Sequence, residues 1–354
     1  MIALVGAGAM GAALALHSAR TGHDTALLGT ILDGPVIEAL RADRPHPALG
    51  VRLPSGIEYR DHDGWDDVLD RAEIIVLAVS SAGFADVAGI ATARKRDVIW
   101  AVATKGWDEA SLRSPFEVLA DALPATEHVV SIGGPALAAE IAAGAPTSIV
   151  CAANRPDIAA RVAAMLQSPE LSVTVSDDVA GVETSAAYKN VVAVAVGICV
   201  GLSERSPESV YVHGFANARA AIFARGLEDM SQLASARGGR IETVAGLAGA
   251  GDLYVTCLGG RNGTFGRLLG LGQTPQQAQE TIGSTVEGIA NTHAALAIAA
   301  RLGINLPTAR AVDSVLSQRI APQAAITELM HTPAVTDLRP RAPIPAGVPG
   351  SPVR

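Results

Sequence analysis

The sequence predicts an α/β protein in two parts: an N-terminal doubly wound parallel sheet over residues 1–176, then an all-helical domain over residues 177–335. Three observations predict it. A glycine-spaced turn, Gly6-Ala7-Gly8-Ala9-Met10-Gly11, directly follows the first aliphatic run. Short aliphatic runs then alternate with helical periodicity through the first half of the chain. Past Asp177 the alternation stops and only helical periodicity continues.

Taken in order, Ile2–Val5 reads as a strand, Met10–Thr21 as a helix and Thr25–Leu28 as a second strand. The continuous aliphatic run Ile74–Val79 is the pattern of a strand buried on both faces. Val98–Ala103, His128–Ile132 and Ser148–Cys151 read as further strands. Strands alternating with helices imply parallel pairing through right-handed crossovers. In the second part, helices are expected over Val182–Gly201, His213–Arg237, Thr274–Ile282 and Glu287–Arg301. The last stretch, 336–354, is rich in Pro and Gly and reads as a disordered tail.

Composition excludes several classes of function. The chain has 354 residues, 49% of them hydrophobic but only 3% aromatic, so small aliphatic side chains must fill the core. A net charge of −8 argues against a nucleic-acid partner, which would require clustered Lys and Arg. Cys151, Cys199 and Cys257 lie far apart with no metal-ligand spacing, so neither a disulfide framework nor a metal site is expected. The first residues lack the basic start of a signal peptide, and the apolar run Val191–Val200 is too short for a membrane span. A cytoplasmic protein is therefore expected. Lys and Arg total 27, yet only Lys95, Lys105 and Lys189 are lysines. Under a drift from Lys to Arg, a retained Lys marks a place where a guanidinium, which cannot lose its proton near neutral pH, would not serve.

The glycine turn has the context that dinucleotide binding requires, strand before and helix after. In that reading Gly6 makes the tight turn and Gly8 lets the backbone approach a pyrophosphate. Gly11 lets helix and strand pack closely, and Ala9 and Met10 lead the helix whose N-terminus faces the phosphates. The second strand ends Leu28-Gly29-Thr30, and no acid appears until Asp33. A carboxylate at that tip would read the ribose of NAD, so its displacement leans toward NADPH, although no Arg stands there either.

Other segments carry chemistry only in combination. Thr104-Lys105-Gly106 follows a strand and points Lys105 toward the cleft, but in isolation it also reads as a solvated loop. Gly133-Gly134-Pro135-Ala136 is a turn whose backbone could line the same cleft. Lys189 and Asn190 head a stretch that is apolar all round, VVAVAVGICV. A buried Lys needs a partner or a task, and desolvation lowers its pKa toward the range of a general acid/base; the alternative is a side chain that snorkels to the surface. Gly246–Leu253 surrounds Asp252 with glycines and would hold it rigidly, or else is a plain surface turn. Gly259-Gly260-Arg261-Asn262-Gly263 suits a phosphate, with the guanidinium as a two-donor grip, or is an ordinary polar loop.

Together, GAGAMG, TKG, GGPALAAE, GVETSAAYKNV, the ARG at Arg225, GLAGAGDL, TCLGGRN and TVEG resemble, in order and spacing, bacterial NAD(P)-dependent glycerol-3-phosphate dehydrogenase over residues 1–310. The resemblance implies a Rossmann domain followed by a helical domain like the C-terminal domain of 6-phosphogluconate dehydrogenase, with the active site between them. It implies Lys189 as proton donor and acceptor, Asp252 as its acidic partner and Lys105 as a second lysine touching substrate and cofactor. Asn190, Gly134, Ala136, Gly260, Arg261 and Asn262 fall at substrate-lining positions. Thr30, Ala138, Arg261, Val286 and Glu287 fall at cofactor contacts. The partner implied is a small phosphorylated substrate, and a homodimer is expected. The sequence departs from the family pattern in several places. Met10 replaces an aromatic residue, and Ala136 and Gly260 replace serines. Leu28-Gly29-Thr30 replaces a Trp-containing strand end, and the 203–217 segment replaces a Gly-rich turn with Asn. These changes keep open another small hydroxyalkyl phosphate or phosphonate as substrate. A non-catalytic dinucleotide-binding protein is the reading from another class.

Overall fold

The structure, a computed structural model, describes residues 1–90, 98–123, 128–205 and 214–333. The expected tail at 336–354, Lys95 and the middle of the 203–217 segment lie outside the described residues.

The first part is an eight-stranded sheet in the order β3-β2-β1-β4-β5-β6-β7-β8. The strands are β1 Ile2–Val5, β2 Thr25–Leu28, β3 Glu58–Arg60, β4 Ile74–Leu77, β5 Ile99–Val102, β6 Val129–Gly133, β7 Thr147–Ala152 and β8 Leu171–Ser176. Every residue of β1, β2, β4 and β5 is buried, which is why they read as unbroken aliphatic runs. After β1 the chain builds outward to β2 and β3 and then crosses to β4 on the other side of β1. The carboxyl ends of β1 and β4 therefore form a switch point, where open α/β sheets leave a crevice.

Two features depart from the sequence expectation. First, β7 pairs antiparallel with β6, with Ile132 opposite Cys151. The helix between them, Ala138–Ala143, has only six residues. At about 1.5 Å per residue it cannot carry the chain back to the starting edge of the sheet, so β7 begins where β6 ends. Second, β3 and β8 have no counterpart among the expected strands. Each lies at a sheet edge, and each is short or alternates buried with exposed residues, so neither presents an aliphatic run.

No described strand follows Ser176. The second part is organised by the helix Val179–Arg205, 27 residues long and buried along nearly its whole length. Among the described residues it is the one helix long and apolar enough to cross a bilayer, and 94% of its apolar window is packed inside the protein. Its length thus exceeds what the aliphatic run Val191–Val200 indicated, and its burial makes it a core helix. Around it pack the helices Ala216–Ala236, Asp252–Cys257, Arg261–Gly270, Glu287–Leu302 and Pro307–Leu316. The tightest crossing is with Arg261–Gly270. A Cβ on Gly197 would lie 2.2 Å from the carbonyl oxygen of Gly263, and one on Gly266 would lie 2.1 Å from that of Val194. Only glycine admits backbones this close, and the crossing sets Asn190 on one helix beside Asn262 on the other.

Candidate active site

The glycine turn stands at the switch point. Gly6 adopts φ +102°, and a Cβ there would lie 2.7 Å from the carbonyl oxygen of Ala78, just past β4. A Cβ on Gly11 would lie 2.0 Å from the Gly6 carbonyl oxygen, so the helix Ala9–Arg20 can pack here only without a side chain. Gly8 is exposed with nothing within 4 Å of its Cβ position, so the side from which a ligand would approach is open. Beyond it lies a cavity of about 650 Å³ bordered by Gly6, Gly8, Thr30, Trp65 and Ser80. Turn, helix start and cavity fit a dinucleotide: phosphates at the first turn of the helix, headed by Ala9 and Met10, and the adenosine half in the cavity.

Asp33, which sequence reasoning passed over, belongs to this cavity. Its Oδ2 accepts from Thr30 N at 2.8 Å, Thr30 Oγ1 at 2.7 Å and Ala7 N at 3.2 Å. A tight turn over Thr30–Asp33 folds the acid back to the tip of β2 and ties it to the glycine turn. The signal was present in the sequence as Asp33-Gly34-Pro35, an acid before a helix with Pro in its first turn.

A second centre lies where β5 and β6 meet the helical domain. Lys189 Nζ donates to Asp252 Oδ1 at 2.5 Å, and Lys105 Nζ donates to Asp252 Oδ2 at 2.8 Å and to the carbonyl oxygen of Gly134 at 3.2 Å. Lys189 is 7% exposed and Asp252 1%. Each element here is fixed locally. The Lys105 loop is pinned by Thr104 Oγ1 donating to the Val79 carbonyl and by Trp107 N donating to Asn291 Oδ1. Gly106, at φ +118°, presses close to Asn291. Asp252 follows a widened turn in which Gly251 N donates to the Gly246 carbonyl, five residues back; such turns often accompany functional residues. Gly249 has no room for a side chain, because a Cβ would lie 2.0 Å from the Val244 carbonyl oxygen.

Glu183, one and a half turns before Lys189, secures the long helix to the sheet. It is buried, accepts from Ser131 Oγ of β6 and accepts from Phe116 N at 3.3 Å. Glu183 and Asn291 were not singled out in the sequence. The signal for Glu183 is a polar residue on an otherwise buried helix, whereas Asn291 lies on a half-exposed helix where a polar residue gives none.

Electrostatics divides the two lysines. Burial, together with the neighbouring Lys105 charge, lowers Lys189 to about 8, against the opposing pull of Asp252. Burial would lower Lys105 too, but the Asp252 charge and hydrogen bond outweigh it and raise Lys105 above its ordinary value. Burial would raise Asp252, yet the two cations hold it below the usual carboxylate range. The centre is thus one carboxylate bearing one permanent cation and one that titrates near neutral pH.

A chain of amides continues from this centre. Asn262 Oδ1 accepts from Gly288 N at 2.8 Å, and Asn262 Nδ2 donates to Asn190 Oδ1 at 2.9 Å. Asn190 Nδ2 donates in turn to Glu287 Oε2 at 3.3 Å. The Arg261 guanidinium, 57% exposed, lies 3.7 Å from Glu287 Oε1, a pair loose enough to release the guanidinium to an anion. Lys105, Lys189, Asp252 and Gly134 are thus joined in one cluster of contacts and Asn190, Asn262, Arg261 and Glu287 in a second, and the adjacent residues Lys189 and Asn190 link the two. Val286 is buried at the head of the Glu287 helix, and Gly260, at φ +88°, opens the Arg261 helix on the surface. Ala136 and Ala138 pack partly against the sheet. Gly6, Gly8 and Thr30 border the cavity at the glycine turn, whereas Met10 packs partly against the core of the sheet.

The chain is similar to known proteins along most of its length. The N-terminal and C-terminal profiles of NAD-dependent glycerol-3-phosphate dehydrogenase match residues 1–159 and 178–327. The chain is 36% identical over 333 residues to glycerol-3-phosphate dehydrogenase [NAD(P)+] of Stenotrophomonas maltophilia, covering 93% of this chain and 94% of that one. It is 36% identical over 337 residues to the protein of that name from Methylobacillus flagellatus, covering 93% and 97%. The crystal structure of glycerol-3-phosphate dehydrogenase from Coxiella burnetii superposes with a TM-score of 0.83 at 32% identity, over 94% of this chain and 98% of that one. With an adenosine-sized cleft at the glycine turn and a buried lysine–carboxylate–lysine centre beside it, the chain belongs to the NAD-dependent glycerol-3-phosphate dehydrogenase family.

Proposed function

We propose that the chain interconverts dihydroxyacetone phosphate and sn-glycerol 3-phosphate with NAD(P)H, Lys189 being the general acid/base. The observation that carries this reading is the shared Asp252 carboxylate, with a titrating lysine on one oxygen and a fixed cation on the other. When bound, the nicotinamide supplies or receives the hydride. As ammonium, Lys189 gives its proton to the oxygen that develops negative charge when the ketone is reduced; as amine, it takes the hydroxyl proton in the reverse direction. Asp252 orients the ammonium, and Lys105 keeps a positive charge against the same oxygen without leaving it a proton. Arg261 and the N–H groups that open the helix Arg261–Gly270 receive the substrate phosphate, while the Asn190–Asn262–Glu287 chain fixes that wall. Burial excludes water and strengthens each interaction.

The test is turnover of dihydroxyacetone phosphate by the full chain, followed by nicotinamide absorbance, beside the Lys189→Ala variant. Activity should fall by at least about 1000-fold in the variant while cofactor binding persists. Undiminished turnover in Lys189→Ala would sink the assignment. Ala136 and Gly260, where the family carries hydroxyls, favour including other small hydroxyalkyl phosphates and phosphonates in the panel. A clear preference for one of these would transfer the chemistry to it. The reading as a non-catalytic dinucleotide binder gives no reason for the lysine–carboxylate–lysine centre. A cytoplasmic setting is supported by three free cysteines, two of them buried.

A further inference from the structure

We infer that Asp33 is the residue that selects the cofactor, and that the chain prefers NADH over NADPH. The inference rests on the reading of the chain as a nicotinamide-dependent dehydrogenase and goes on to say which cofactor it takes. The sequence lean to NADPH rested on the absence of an acid at the tip of β2. The turn over Thr30–Asp33 cancels that absence by returning the Asp33 carboxylate to the tip, against Ala7 of the glycine turn.

Three donors converge on Oδ2 and leave Oδ1 without a protein partner among the described residues. Oδ1 is therefore the free acceptor on the wall of the adenosine cavity, suited to the vicinal hydroxyls of an unphosphorylated ribose. A 2′-phosphate in the same place meets a carboxylate, and the Thr30 donors beside it are taken. The amide and the hydroxyl of Thr30 both point at Asp33. Among the described residues bordering the cavity the other carboxylate is Asp86, and none of them is a Lys or Arg. His62 stands edge-on to Trp65, whose Nε1 donates to the Gly29 carbonyl. Ile31 and Leu32, 77% and 81% exposed, offer a phosphate no donor side chain at the rim.

The experiment is direct binding of NADH and of NADPH to the full chain, read from nicotinamide fluorescence without substrate. NADH should bind at least about tenfold more tightly, the size of one charge-assisted hydrogen bond. Asp33→Asn keeps an acceptor for Thr30 and Ala7 but removes the charge, and should shrink that ratio by about tenfold, weakening NADH and strengthening NADPH. Leu32→Arg touches none of these bonds and should tighten NADPH by about tenfold while leaving NADH nearly unchanged. Equal or tighter binding of NADPH by the unaltered chain overturns the inference. So does an Asp33→Asn variant that loses both cofactors by the same factor, which would make Asp33 a brace for the turn and nothing more. NADH-selective binding without turnover of dihydroxyacetone phosphate supports this inference while the substrate assignment fails. NADPH-driven turnover with NADPH-selective binding does the reverse.

Discussion

Lys189 Nζ lies 2.5 Å from Asp252 Oδ1, although the two residues are 63 positions apart in the chain. The contact joins the core helix of the second domain to the glycine-rich turn behind it, and Lys105 reaches the other oxygen of the same carboxylate from the sheet. Three segments from both parts of the molecule thus depend on one buried acid.

Asp252→Asn tests that dependence. The amide fills the same space but leaves two buried or half-buried ammonium groups with no counter-charge. Breaking a buried ion pair from one side costs about 3–5 kcal/mol in other proteins. We expect a lower melting temperature and a loss of turnover of about 100-fold or more. The two readouts should be measured on one preparation. Wild-type turnover in Asp252→Asn would show that Lys189 needs no anionic partner.

The pH dependence should run in opposite directions for the two reactions. Burial and the Lys105 charge bring Lys189 to about 8. Ketone reduction needs the ammonium, so its rate should fall as pH rises through about 8. Alcohol oxidation needs the amine, so its rate should rise over the same range. Lys105→Met removes a cation that disfavours protonation of Lys189 and frees Asp252 for Lys189 alone. The inflection in its residual activity should therefore move to higher pH. Profiles of kcat/KM in both directions check this, and an inflection that stays in place in Lys105→Met would refute the coupling of the two lysines.

How much of this was legible in the sequence follows from the range of each interaction. The glycine turn is a local motif whose neighbours in sequence are its neighbours in space, so Gly6, Gly8 and Gly11 declared themselves. Strands buried on both faces show as aliphatic runs, whereas β3 and β8, exposed at the edges, do not. The reversal of β7 depends on how short the preceding helix is, a matter of three-dimensional reach. Lys189 stands out because a cation in an apolar helix demands a reason, and Asp252 because glycines on both sides would hold it as a partner should be held, but the resemblance is what pairs the two. Asp33 was discounted because it lies a few residues past the strand, and only the folded turn shows that it returns. Glu183 and Asn291 act through groups far away in sequence, at Ser131 and Trp107, and spacing carries no trace of them.

The crossing of the two glycine-bearing helices makes a prediction with an unusual sign. Replacing Gly by Ala inside a helix ordinarily stabilises it by about 1 kcal/mol. At Gly197 and Gly266 the added methyl would lie 2.2 Å and 2.1 Å from backbone oxygens of the partner helix. Gly197→Ala and Gly266→Ala should instead destabilise by about 1–3 kcal/mol, seen as a lower urea midpoint. Because Asn190 and Asn262 bridge this same crossing, KM for the phosphorylated substrate should rise in both variants. A gain in stability in either variant would show that the helices can separate freely.

Asp229 makes the last prediction, away from the active site. Tyr188 OH donates to its Oδ2 at 2.7 Å and Thr308 N donates to the same oxygen at 2.8 Å, so three helices meet on one buried carboxyl. Burial raises it to about 6, against the hydrogen bonds that favour the charged form. A carboxyl whose pKa is higher folded than unfolded binds more protons in the native state between the two values. Its contribution is therefore fully present below about 4 and lost as pH rises through about 6. Asp229→Asn keeps an acceptor for Tyr188 and Thr308 but cannot titrate. The stability advantage of wild type over this variant should shrink as pH rises across that window, measured by urea unfolding at several pH values. Asp229→Leu removes the acceptor altogether and strands a buried hydroxyl and a buried amide, so it should be the less stable variant by about 2–4 kcal/mol at every pH. Turnover of folded Asp229→Asn should match wild type, since Tyr188 points away from Lys189 toward the helix Ala216–Ala236; a selective loss of kcat at unchanged stability would mean that this anchor also positions the lysine.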